Sequence, residues 1–215
     1  MGEAFFHHQI KHCRLADMPK DPWQHYLDMK ELDRIKAYFW LAQINRGQKL
    51  SQVHSWAEES LALLEKTSRG SIPFLKSNCA LIEFLQAQKI EIFVVTASVK
   101  WAVEPAAARL GIDRNHVIGI ETEIVQGLVT ERPILPATYR QGKADALLKT
   151  TTGAHPIFCA GNTLGDTALL KASRGPCLAV RTQASDSAEA HLLKDELALQ
   201  EEARTNGWFS HEFRS

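Results

Sequence analysis

From Pro73 onward, short apolar runs of strand length alternate with helical stretches, and such a chain has few ways to bury its backbone. The runs are Ile90–Val95, His116–Glu121, Pro156–Ala160 and Cys177–Val180. Helical patterning covers Phe74–Gln88, Trp101–Leu110, Lys143–Lys149, Asp166–Ala172 and Ser187–Arg204, and Glu123–Thr130 reads as a short hairpin turning at Gln126-Gly127. Apolar strands separated by helices argue for an α/β fold, with a parallel sheet covered on both faces.

The residues before Pro73 read differently. Leu27, Leu32, Ile35, Phe39 and Trp40 recur at the spacing of one buried helical face. Ser51 begins a second amphipathic segment carrying Val53, Trp56, Ala57, Leu61 and Leu64, and Gly70 and Pro73 close the region. The expected organisation is a helical module over 1–72 and an α/β core over 73–215. Phe5, Phe6, Trp23, Tyr26, Tyr38, Phe39, Trp40 and Trp56 are expected mainly in the core of the helical module.

Twenty-five Lys and Arg balance twenty-five Asp and Glu. A neutral chain has no electrostatic footprint for a phosphate backbone, so nucleic acid is not expected as a partner. A 45% hydrophobic share is enough to build a core. No apolar run approaches the roughly 18 residues of a membrane span, so no membrane partner is expected. The N-terminus lacks the basic-then-apolar layout of a secretion signal. Cys13, Cys79, Cys159 and Cys177 are scattered without a C-x-x-C pair, and read as free thiols of a cytoplasmic protein.

Ligands of open parallel sheets bind beyond the carboxyl ends of the strands. One apolar run ends in Thr96-Ala97-Ser98, and another in Gly161-Asn162-Thr163-Leu164-Gly165-Asp166; Gln141-Gly142-Lys143 opens a helix between them. A hydroxyl, an ammonium and an amide–carboxylate pair suit a phosphate and a divalent cation. Each segment also has a purely structural reading, as a turn, a helix start or an N-cap.

In order and spacing these segments resemble the haloacid dehalogenase-like hydrolase superfamily, in particular its phosphoserine-phosphatase-like branch with a helical cap. The resemblance spans roughly Phe74 to Val180 and takes in Leu110-Gly111-Ile112-Asp113 and Gly127-Leu128-Val129-Thr130. It implies a Rossmann-like core and hydrolysis of a small phosphorylated metabolite through an aspartyl-phosphate. By that resemblance Thr96, Ala97 and Lys143 bind phosphate, Lys143 and Asp166 are catalytic, and Asn162 and Asp166 hold Mg²⁺. Thr96, Lys143, Asn162 and Asp166 are expected in one pocket facing the helical module.

Two departures accompany the match. The family's nucleophile lies in Asp-x-Asp-x-Thr at the end of the first strand, and no such motif occurs here; Asp17, Asp21, Asp28 and Asp33 all lie in the helical region. Asn162 stands where the family has a metal-binding aspartate. A chain truncated before its nucleophile and a degenerate non-catalytic member that binds a ligand or partner are the competing readings. In the first, the missing central strand would leave a defect between Ile90–Val95 and Pro156–Ala160. A nucleotide-binding protein is disfavoured, because no strand is followed by Gly-x-Gly-x-x-Gly. Trp101 is expected to pack against the sheet, and His7, His8 and His12 to be solvated or capping.

Overall fold

The computed structural model describes residues 2–13, 15–67, 74–182 and 190–212. Its contacts group into two compact units, Met1–Ala137 and Thr138–Ser215. The boundary expected near residue 72 lies outside the described residues.

The first unit opens with α1 (Gly2–His12), α2 (Pro22–Leu32), α3 (Arg34–Gln43) and α4 (Leu50–Thr67). Leu27 to Trp40 does not form one face as expected, because Asp33 ends α2 and starts α3. Its carboxylate accepts from the Ile35 and Lys36 amides at 3.0 and 3.1 Å, satisfying two otherwise unpaired donors of the first turn of α3. The break leaves Leu32 at 89% exposure, and Ile35 is exposed as well. Phe5, Phe6, Tyr26, Phe39, Val53 and Ala57 form the core instead, with Trp101 buried among them. Each such large apolar side chain contributes about 1.5–3 kcal/mol when fully buried.

After α5 (Lys76–Ala87) come β1 (Val94–Val99), α6 (Lys100–Arg109) and β2 (Val117–Ile120). The expected strand Ile90–Val95 is thus displaced toward the C-terminus, and Thr96-Ala97-Ser98 lies within it. β1 and β2 are parallel, pairing Val94 with Val117 and Val95 with Ile118; the register then shifts before Val99 meets Ile120. The hairpin forms as expected, from antiparallel β3 (Thr122–Val125) and β4 (Leu128–Pro133).

The second unit contains α7 (Gln141–Thr150), β5 (Cys159–Gly161), α8 (Thr167–Lys171), β6 (Cys177–Arg181), α9 (Ala190–Asn206) and β7 (Phe209–Glu212). The strands are parallel in the order β5-β6-β7, and α9 packs on β6. β7 has no counterpart in the sequence reading, and β5 is shorter than the expected Pro156–Ala160.

Among the described residues, β1 pairs only with β2, and β5 only with β6. Gly2–His12, at the N-terminus, is helix. Val94–Ser98 are half-buried rather than buried, so water reaches the strand.

A candidate phosphate site

In the second unit, Lys143 is the third residue of α7, and Asp166 follows β5 through a 3-10 turn at Leu164–Asp166. Lys143 Nζ donates to Asp166 Oδ1 at 2.5 Å, and both side chains are about nine-tenths buried. The other Asp166 oxygen accepts the backbone amides of Asn162 and Thr163, at 3.0 and 3.2 Å. The carboxylate therefore ties the lysine to the loop leaving β5. A Cβ on Gly161 would stand 2.5 Å from Asp166 Cβ, so the close approach of that carboxylate requires glycine at the strand end.

Asn162 joins this group through its own amide, whose Nδ2 donates to Glu196 Oε1 at 3.0 Å. Glu196, on α9, is fully buried and also accepts from the Thr182 backbone amide at 2.9 Å and the Thr182 hydroxyl at 2.5 Å. The sequence reading did not single out this residue. Its signal is that Glu196 falls in helical register with Leu199, Gln200 and Ala203, a carboxylate on the buried stripe of α9.

Thr96 and Ala97 belong to the first unit, in the segment of β1 where the register shifts. Thr96 Oγ1 accepts the Ser98 amide at 3.1 Å, a local turn within the strand. Gly119 on β2 permits this shape, since a Cβ there would lie 2.8 Å from Lys100 Cα. Lys100 reaches Glu121, just beyond β2, at 3.4 Å. Burial pushes the Glu121 carboxyl above its ordinary range and Glu104 adds to this, while Lys100 acts in the opposite direction. Glu104 in turn lies 3.0 Å from His54.

His8 is buried, contrary to the solvated reading. Its ring stacks near His12 and its Nε2 lies 3.6 Å from Glu59. Among the described residues, no group of three or more His, Cys, Asp or Glu is placed to hold a metal ion. The Mg²⁺ expected by resemblance finds a poor donor set in the second unit. Asp166 has both oxygens committed, to the lysine and to two amides, and Asn162 offers a neutral oxygen where hard cations favour carboxylates. These residues do not fit the ion. All four cysteines are free, Cys159 and Cys177 being buried. Among the described residues, no helix is long and apolar enough to cross a membrane.

Comparison with known proteins places the fold. A protein of unknown function from Bordetella pertussis Tohama I superposes with a TM-score of 0.70 at 17% identity, over 98% of this chain and 89% of that one. A HAD family hydrolase from Salmonella enterica serovar Typhi gives 0.54 at 12% identity, over 85% of this chain and 58% of that one. A probable phosphoserine phosphatase from Vibrio cholerae gives 0.51 at 16% identity, over 83% and 57%. The chain thus spans somewhat over half the length of the latter two. No curated protein matches the sequence. These likenesses show a shared α/β fold of the Rossmann-like kind. The model of the haloacid dehalogenase-like hydrolases matches residues 23–171, more than half of the sequence, and takes in Thr96–Ser98, Gln141–Lys143 and Gly161–Asp166. The chain belongs to the haloacid dehalogenase-like hydrolase family.

Proposed function

We propose that this chain binds the phosphate of a small phosphorylated metabolite through Lys143, as part of a phosphatase-type hydrolase. The observation that carries the reading is the buried Lys143–Asp166 pair at the start of α7, beside the loop that leaves β5. An ammonium fixed by one carboxylate retains two further donors, enough to hold an anionic oxygen and neutralise its charge. Asp166 acts by positioning, since its oxygens orient the lysine and the 162–163 amides.

Attack on phosphorus requires a nucleophile, and none of the described aspartates directly ends a parallel strand. The 215-residue chain by itself is therefore proposed to bind phosphate without turnover. A second reading, a non-catalytic family member that binds a ligand or partner, draws support from Asn162 at the position of a family aspartate. Hydrolysis of p-nitrophenyl phosphate separates the two. The chain as it stands is expected to give background rates, and a version with an Asp-x-Asp strand fused ahead of Met1 is expected to gain turnover that depends on Lys143. Phosphate binding with no gain on fusion favours the non-catalytic reading. Lys143-dependent turnover by the unextended chain overturns the proposed absence of a nucleophile.

A further inference from the structure

We infer that Glu196 is a positioning residue that dictates an amide at position 162, and so commits the loop after β5 to a neutral oxygen in place of a metal-binding carboxylate. The inference rests on reading the 161–166 loop as part of the phosphate site. A carboxylate only accepts hydrogen bonds. Glu196 accepts from Asn162 Nδ2, from the Thr182 amide and from the Thr182 hydroxyl. Residue 162 must therefore donate, which fixes the amide with its nitrogen toward Glu196 and leaves Oδ1 as the end not bonded to it.

An aspartate at 162 would place a second carboxylate at the same 3.0 Å distance from a fully buried one. Two such groups repel, and neither could supply the missing proton while both are ionised. Asparagine has the same shape without that charge. Asn162 and Glu196 are thus a matched pair, and the departure at 162 is coupled to a residue more than thirty positions away in sequence. Replacing Glu196 by glutamine would reverse the demand, because its amide can donate to an aspartate at 162 while its oxygen still accepts from Thr182.

The test is a double-mutant cycle in the full chain, read by thermal melting and by Mg²⁺ titration calorimetry. N162D is expected to lower Tm by about 4–8 °C, the shift that roughly 2 kcal/mol produces in a protein of this size. N162D/E196Q is expected to recover most of that loss, and to bind Mg²⁺ at least roughly tenfold more tightly than the unmodified chain, since it restores a charged oxygen ligand. An N162D variant as stable as the unmodified chain overturns the inference. So does a double variant no more stable than the weaker single variant, or one with unchanged Mg²⁺ affinity. The melting arm uses no phosphate, so a chain that shows the coupling yet fails to bind inorganic phosphate contradicts the proposed function and leaves the pairing intact.

Discussion

Lys143 and Asp166 form an ion pair 2.5 Å long between the first turn of α7 and the turn that follows β5, with little of either side chain open to solvent. Burying two charges is costly, and their mutual attraction offsets that cost only when the remaining bonds are satisfied. Here Asp166 meets that condition, accepting two backbone amides with its second oxygen. The pair thus couples a charge suited to phosphate to the strand-end loop.

Removing one partner should therefore be worse than removing both. Asp166→Ala leaves a buried ammonium and two unpaired amides, and is expected to lose about 3–5 kcal/mol of stability. The double variant Lys143→Met with Asp166→Leu is expected to lose less than Asp166→Ala alone. Urea denaturation of the three proteins measures this.

Gly161→Ala tests the same geometry without touching a charge. The added methyl would collide with Asp166, whose side chain must then leave Lys143 or the loop amides. A loss of about 1–3 kcal/mol is expected, the cost of overpacking a closed site, together with weaker phosphate binding. Gly127→Ala, which strains a left-handed turn of the first unit without meeting any neighbouring atom, should cost some stability but leave phosphate binding unchanged.

Much of the fold is legible in the sequence because each signal is local. Gly142-Lys143 opens a helix, Gln126-Gly127 turns a hairpin, and Gly161 precedes a loop with aspartate five residues on. What escaped depends on distance or on short apolar runs. Ile90–Val95 is as apolar as a strand, yet pairing with β2 begins at Val94, so the strand shifts to take in Thr96. Asp33 splits an apolar stripe whose spacing gives no warning of a cap. β7 is four exposed residues without an apolar pattern. Glu196 meets Asn162 and Thr182, and neither is near it in sequence.

Stability should fall on mild acidification because of His8. Burial, helped by the charge of His12 and opposed by Glu59, holds the imidazole below its ordinary 6.5. The folded state therefore binds fewer protons than the unfolded state once the pH drops below about 6.5, and stability declines from there down to the folded-state value. His8→Gln is expected to flatten this part of the stability–pH curve. Denaturant melts at intervals between pH 7.5 and pH 5 would show it (the interval that brackets the ordinary value).

Cys159 and Cys177 should be inert in the native protein. Burial pushes the Cys159 thiol up to about 12, with Cys177 adding to the effect, and pushes Cys177 up as well. The thiolate is the reactive form, so at pH 8 a disulfide reagent is expected to modify these two only after denaturant is added. Prompt native-state reaction at either position, mapped by mass spectrometry, would contradict their burial.

The central claim is that Lys143 holds an anion, and titration calorimetry of inorganic phosphate into the full chain tests it most directly. Saturable binding is predicted, weakened tenfold or more in Lys143→Met, with circular dichroism confirming that the variant remains folded; ~1.4 kcal/mol per decade makes that a modest demand on one charged contact. Phosphate that fails to bind the unmodified chain, or binds folded Lys143→Met equally well, would contradict the assignment.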